Sequence, residues 1–97
     1  MELYNKAITI CSSILEIQPN DCMALKGLGL SQYCLDYKDI GKENLYRSIE
    51  YADGTFMEPF TDLISVLINE GFINEASEVL AKALHMNPNY VCPHSIE

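Results

Sequence analysis

Cysteine and histidine have the widest chemical range among the side chains of this 97-residue chain, because they serve as metal ligands and as nucleophilic or basic groups. Cys22 and Cys34 would lie about 18 Å apart on one helix, at about 1.5 Å per residue, which is too far for two ligands of one zinc ion. No Cys-x-x-Cys pair occurs, and Cys92 with His94 lacks further ligands nearby in sequence. We therefore expect free thiols, no metal site and no cofactor. The cysteines and histidines of the chain are Cys11, Cys22, Cys34, His85, Cys92 and His94.

No constellation of catalytic residues is visible along the chain. His85 falls in the last turn of a predicted helix, where a protonated imidazole interacts favourably with the helix dipole, and we interpret it as a surface residue. Cys92 and His94 lie in a terminal tail with no third group to orient them. A glycine-rich phosphate loop and paired carboxylates in a cleft are also missing. We expect no enzyme; the alternative, a hydrolase, would require a cysteine with a lowered pKa.

The chain is acidic, with 14 Asp and Glu against 6 Lys and Arg and a net charge of -8. Nucleic acid and anionic lipid bind through lysine and arginine, so we expect neither as a partner. No apolar run reaches the roughly 18 residues needed to span a bilayer, and the N-terminus does not resemble a secretory signal. With unpaired cysteines, these features predict a reducing, intracellular location, cytoplasmic or nuclear.

An internal repeat organises the sequence. The segments Ala7–Asn20 (AITICSSILEIQPN) and Ala76–Asn89 (ASEVLAKALHMNPN) align without gaps, and both end in Pro-Asn. Their offset is about two periods of roughly 34 residues, the length of a helix–turn–helix repeat. A middle unit with the same spacing lies between them, at Gly41, Leu45, Ser48 and Ile49.

Helix ends are marked by proline. Pro19 and Pro88 lack an N–H donor and disfavour a helical residue before them, so each is expected to follow a helix. Asn20 or Asp21 is placed to cap the next helix. We predict five helices near residues 3–17, 22–35, 38–52, 57–70 and 73–86.

Large and small residues recur at fixed spacing, which lets two antiparallel helices approach closely while large side chains fill the space beside them. The pattern is similar to that of the tetratricopeptide repeat (TPR) family over roughly residues 3 to 90. This resemblance implies an all-α fold of antiparallel helix pairs, stacked as a short right-handed superhelix (an α-solenoid) of about five helices. The matching motifs are Ala7-x3-Cys11-x2-Ile14 in the first unit, Leu25-x2-Leu28-Gly29-x2-Gln32 in the middle unit, and Phe60-x2-Leu63-Ile64-x2-Leu67 followed by Ala76-x3-Leu80-x2-Ala83 in the last unit.

The resemblance implies about two and a half repeats. In the family, glycine usually closes the first helix of a pair; Gly71 fits this rule, whereas Asp36 takes that place in the middle unit and leaves its turn less defined. The first helix lacks a partner helix, so either the chain is a fragment of a longer repeat protein, which we favour, or another chain covers the exposed ends. The predicted units are one domain at 1–90, with a half repeat at 1–21 and repeats at 22–56 and 57–90, and a C-terminal tail at 91–97.

The resemblance also implies a binding groove, because the first helix of each TPR pair lines the concave side where partners bind. The apolar members Leu30 and Ile68 have the alternative interpretation of core residues. The mixed pattern favours an extended or helical peptide with apolar anchors and a basic residue. Carried over by position, the groove residues are Met23, Lys26, Gly27, Leu30, Tyr33 and Cys34 from the middle unit and Glu58, Thr61, Asp62, Ser65, Ile68 and Asn69 from the last unit.

Some TPR domains hold the acidic C-terminal tail of a chaperone with a clamp of lysine, asparagine and arginine. Here Glu58 and Asp62 occupy positions where the clamp needs a base, and Gly27 occupies the asparagine position. Lys26 is the one base in place. Because two acids would repel an acidic tail, we expect no chaperone-tail clamp.

These features predict a protein-interaction scaffold or adaptor that belongs to a larger protein or a multi-subunit complex. The alternative in the same class is self-association, in which the exposed end helices form a homodimer. A third hypothesis, an RNA-binding repeat of the pentatricopeptide type, would need a basic groove, which the net charge of -8 opposes.

Overall fold

The computed structural model describes residues 1–93 and shows an all-α fold there. The predicted class and the five predicted helices are confirmed in this range, and their bounds agree to within about two residues, the accuracy to which helix ends are defined. No strand occurs within residues 1–93, and no helix there is long and apolar enough to cross a membrane. The helices are α1 (Glu2–Ile17), α2 (Cys22–Cys34), α3 (Lys38–Glu50), α4 (Glu58–Asn69) and α5 (Ile73–Met86).

The chain forms two compact units, Met1–Tyr51 with α1 to α3 and Ala52–Glu97 with α4 and α5. In the first unit α2 packs against both α1 and α3, and in the second α4 packs against α5. Packing between sequence neighbours is compatible with the predicted helix pairs. The superhelical stacking, the domain and repeat bounds and the TPR resemblance itself stay predictions.

The first unit is built around α2. Asp21 caps this helix, because its carboxylate accepts a hydrogen bond of 2.9 Å from the backbone N–H of Ala24. Of the two capping candidates, Asn20 and Asp21, the structure therefore selects Asp21. Leu25 of α2 and Leu45 of α3 are both fully buried and form the centre of this core.

Two glycines set the distance between α2 and α3. A Cβ atom built on Gly29 would lie 2.7 Å from the carbonyl oxygen of Gly41, and one built on Gly41 would lie 2.7 Å from the carbonyl oxygen of Gly29. Both values are far below van der Waals contact, so the two backbones touch directly. Beside this contact the Asn44 side chain donates a hydrogen bond of 2.7 Å to Gln32.

In the second unit α4 buries one complete side. Pro59 lies in its first turn, where the missing N–H donor has no partner to lose, as the sequence predicts. The opposing helix α5 contributes small buried residues, Ala76 and Ala83 among them, that let it lie close to α4. The buried residues of α4 are Pro59, Phe60, Leu63, Ile64, Val66 and Leu67.

The turn between α4 and α5 needs a left-handed residue. Gly71 adopts a φ of 83°, and the chain then reverses through two backbone hydrogen bonds. The N–H of Phe72 donates to the carbonyl of Leu67 (2.8 Å), and the N–H of Gly71 donates to that of Ile68 (3.0 Å). This pairing is a Schellman motif. The predicted role of Gly71 is confirmed.

The turn between α2 and α3 has the same construction without a glycine. Asp36 adopts a φ of 74°, the N–H of Tyr37 donates to the carbonyl of Gln32 (2.9 Å), and the N–H of Asp36 donates to that of Tyr33 (3.0 Å). The next residue also has nearly equal angles in the two turns, φ -87° and ψ 68° at Tyr37 against φ -86° and ψ 67° at Phe72. The same type of turn therefore joins the two helices within each pair, and the two turns lie about one repeat apart in the sequence.

Replacing Asp36 by glycine is expected to stabilise the protein by about 1 kcal/mol, because the left-handed conformation costs a residue with a Cβ roughly that much. Urea unfolding followed by circular dichroism would measure the change. Asp39→Gly is the matched control: Asp39 lies in the first turn of α3 and is exposed, so its loss should cost about 0.5 kcal/mol or more. Destabilisation by both substitutions would contradict strain at Asp36.

Candidate protein-interaction faces

Helix α2 keeps one side open. Met23, Lys26, Leu30, Tyr33 and Cys34 lie three, four or seven residues apart, so they share a side of the helix, which we call the α2 open face. None of the five is buried, and the Met23 side chain is 63 % exposed. The other side carries the buried residues Ala24, Leu25, Gly29 and Ser31.

One edge of the α2 open face is closed by α1. The predicted groove residue Gly27 lies there, and a Cβ on it would approach Cys11 Sγ to 2.8 Å. Gly27 therefore serves the contact between helices. Burial raises the pKa of the Cys11 thiol, and the negative charge of Asp21 adds to this while Lys26 opposes it. A raised pKa leaves little thiolate at neutral pH, so Cys11 is a poor nucleophile.

The C-terminal end of the α2 open face is held by local contacts. A side-chain hydrogen bond with Cys34 and its charge raise the pKa of Tyr4. The Lys38 ammonium lies 5.9 Å from the centre of the Tyr33 ring, at the outer limit of a cation–π contact, and 3.7 Å from Asp36. Tyr33 and Cys34, the two last members of the face, therefore have neighbours outside α2.

Helix α4 keeps a second open side. We call this side the α4 open face. None of its residues is buried, and along the helix they alternate with the buried residues of α4 named above. Glu58 lies in the first turn, where a carboxylate interacts favourably with the helix dipole. Leu30 of the α2 open face and Ile68 of the α4 open face, the two residues with a core interpretation, are half-buried. The α4 open face consists of Glu58, Thr61, Asp62, Ser65, Ile68 and Asn69.

Tyr90 reaches the α4 open face from the segment after α5, which the sequence analysis did not anticipate. Its hydroxyl shares a hydrogen bond of 2.6 Å with Thr61 Oγ1. Burial raises the pKa of Tyr90; the bond to Thr61 acts the other way, and the neighbouring Cys92 and Asp62 raise it further. The half-buried Tyr90 therefore lies beside Thr61 on the α4 open face.

The path of this segment is set at the Asn87–Pro88 step. The Asn87 side chain donates a hydrogen bond of 3.3 Å to the carbonyl of Gly54 and accepts one of 3.0 Å from the N–H of Asn89. Pro88-Asn89, the pair that recurs in the repeat, is the one sequence signal for a turn here. It does not indicate which residue the turn directs onto α4.

The four cysteines are free thiols. Within residues 1–93, no group of three or more His, Cys, Asp and Glu side chains is arranged to hold a metal ion. His94 and the end of the predicted tail, residues 94–97, lie outside the described residues.

No family model matches the chain, and neither a curated protein nor a solved structure with significant similarity was found. The functional argument therefore depends on the geometry of the chain's own residues. Two observations bear on it most directly: the same turn in two helix pairs, and an open face on the first helix of each pair.

Proposed function

We propose that this protein is an interaction module of the TPR type, a scaffold or adaptor that binds another protein through the α2 and α4 open faces. The observation that carries the proposal is the division of both helices into a buried and an open side. In two helix pairs with the same Schellman turn, the first helix keeps one side unburied. By the TPR resemblance, this is the side that would bind a partner.

The side chains on the two faces indicate the chemistry of the partner. The α2 open face is mainly apolar, with Met23, Leu30 and Tyr33, and has Lys26 as its charged member. The α4 open face carries the acids Glu58 and Asp62. Taken each by itself, the α2 open face is complementary to apolar anchors of a peptide, and the α4 open face is complementary to a lysine or arginine.

The other hypotheses have less support. RNA binding requires lysine and arginine to displace counterions, and the net charge of -8 opposes it. A cysteine hydrolase requires a lowered thiol pKa, whereas burial raises that of Cys11. An acidic chaperone tail would meet Glu58 and Asp62, both of which repel it.

A charge reversal on α4 tests the proposal. Peptides would be selected from a phage-displayed random library on the folded protein, synthesised, and their affinity measured by fluorescence anisotropy. We expect apolar anchors in peptides that bind the α2 open face and a lysine or arginine in those that bind the α4 open face. The latter should bind Glu58→Lys about two- to fivefold more weakly, since one charge pair is worth up to about 1 kcal/mol at a surface. Added salt should weaken the wild-type interaction.

The matched control is Glu75→Lys. Glu75 is exposed and lies in the first turn of α5. Its replacement by lysine therefore makes the same charge change and removes the same favourable interaction of a carboxylate with a helix dipole. It should leave peptide affinity unchanged. Equal weakening by both variants would mean that net charge alone attracts the peptides, and a selection without consensus would count against the open faces as a binding site.

A further inference from the structure

Helix α1 carries an apolar side that nothing in the first unit covers. None of the residues of α1 is fully buried, although Ile8, Cys11 and Leu15 are half-buried where α1 packs on α2, and the small residue Ala7 is half-buried as well. We call the uncovered side the α1 stripe. Its members are Leu3, Ala7, Ile10, Ile14 and Ile17, of which the four large ones are 76 %, 61 %, 39 % and 83 % exposed in that order.

The repeat shows what covers this side elsewhere in the chain. By the alignment of the three units, Ala7, Ile10 and Ile14 of α1 correspond to Gly41, Asn44 and Ser48 of α3. In α5 they correspond to Ala76, Val79 and Ala83. In α3 these residues are buried and face α2: Gly41 touches Gly29, and Asn44 bonds to Gln32. Both sets are buried in their helix pairs, namely Gly41, Asn44 and Ser48 in α3 and Ala76, Val79 and Ala83 in α5.

The α1 stripe is therefore the position at which a repeat helix receives another helix, and it is more apolar here than in α3. Where α3 has Asn44 and Ser48, α1 has two isoleucines. An exposed apolar surface of this kind marks an interaction site in a folded protein.

The spacing of the stripe suits a second copy of the same helix. Its members follow one another at intervals of four, three, four and three residues, which is the seam of a coiled coil. A coiled coil of little more than two heptads is too short to hold isolated peptides together. Here the packing of α1 on α2 already supplies the folded helix, so association does not carry the cost of helix nucleation.

The edges of the stripe do not repel a second copy. Lys6 and Ser13 border it on one side, and α2 lies on the other. The two acids of α1, Glu2 and Glu16, point away from the seam at outer heptad positions, and Glu2 is 3.9 Å from Lys6. With Glu2, Glu16 and Lys6, α1 contributes only -1 to the net charge of -8.

We infer that the α1 stripe is a self-association surface, on which two copies of the chain pack α1 against α1 about a two-fold axis. The same stripe then meets itself, as an isologous contact requires. A stripe of this span is about 21 Å long, at about 1.5 Å per residue. A contact of this length that is one helix wide is at the lower end of the size range of stable interfaces, so we expect a weak dimer. The inference goes beyond the proposed function and uses none of the residues of the α2 and α4 open faces.

Light scattering and sedimentation equilibrium on the whole chain, from low micromolar to millimolar concentration, test this inference. The wild-type mass should rise from 10.9 kDa toward twice that value. Ile10→Glu places a charge at the centre of the stripe and should raise the dissociation constant about tenfold or more. Ile17→Glu is a second variant whose side chain is 83 % exposed at the end of α1, so it should weaken the dimer without disturbing the fold.

Ile40→Glu is the matched control, since Ile40 is 49 % exposed on α3 in the same unit. It should dimerise as the wild type does, and circular dichroism should show equal helix content in all the variants. A wild-type mass that stays at the monomer value would overturn the inference. Equal weakening by Ile40→Glu and the two α1 variants would also overturn it, because association would then not depend on the stripe.

Discussion

Replacing Gly29 by alanine is expected to destabilise the first unit by about 3 kcal/mol, at the upper end of the usual cost of overpacking. The new methyl group would lie 2.7 Å from the carbonyl oxygen of Gly41 and 2.9 Å from the backbone nitrogen of Leu45. Backbone atoms inside a helix cannot rotate away, so α2 and α3 would have to separate along their whole contact. The gain of about 1 kcal/mol that alanine brings to a helix interior does not offset this.

Gly27→Ala is the control for this substitution. It is the same change in the same helix, and its methyl group would meet Cys11 Sγ, the end of a side chain that can turn aside. The gain in helix propensity should then cancel much of the cost, leaving a change of less than about 1 kcal/mol. Guanidinium unfolding would give the free energies. Equal effects at Gly27 and Gly29 would show that the α2–α3 contact is looser than this structure has it.

Gly41→Ala tests the same contact from the other side and should cost a similar amount. Because either substitution already forces the helices apart, the double variant should cost less than the two single changes added together. Full additivity would mean that the two glycines act independently, contrary to the direct contact of their backbones.

The helices of this protein could be predicted from sequence because each one is marked locally. Pro19 and Pro88 follow the first and last helices, Pro59 lies in a first turn, and the repeat transfers these marks from one unit to the next. The sequence did not decide whether Asn20 or Asp21 caps α2, since both are good N-cap residues and the choice depends on the residue at which the helix begins.

Of the two turns within helix pairs, one was marked clearly by the sequence and the other less so. Gly71 could be predicted, because glycine adopts a positive φ at no steric cost. The turn at Asp36 was less certain, because aspartate adopts a positive φ much less often than glycine does. In the structure, the backbone N–H groups of Tyr37 and Asp36 donate hydrogen bonds to the last turn of α2 and stabilise the left-handed conformation. No residue nearby in the sequence indicates these bonds.

The open faces depend on helical periodicity alone, which is why all the predicted groove residues except Gly27 lie on the unburied side of α2 or α4. Gly27 instead lies against Cys11 of α1, a contact that periodicity does not show. Whether a partner binds them is a separate question that periodicity does not address. The contact of Tyr90 with Thr61 joins residues far apart in the chain, so it needed the three-dimensional path of the segment after α5. The exposure of the α1 stripe likewise follows from tertiary packing, since its apolar pattern alone is that of a buried helix side.

Replacing Phe60 by alanine should cost about 3–5 kcal/mol, because it removes the largest fully buried side chain and leaves a cavity. Domains of this size are stable by only about 5–15 kcal/mol in total, so the variant should melt tens of degrees lower. Since the buried side of α4 holds its open face in position, peptides selected on the wild-type protein should also lose affinity as the variant unfolds.

Phe72→Ala provides the comparison for Phe60→Ala, because it removes an equal volume from a side chain that is 43 % exposed at the start of α5. It should cost about 1 kcal/mol, the value typical of a partly exposed substitution. Thermal and urea unfolding, followed at 222 nm, would give both values. Similar losses for the two variants would show that Phe60 does not anchor α4, and the division of this helix into a buried and an open side would then be wrong.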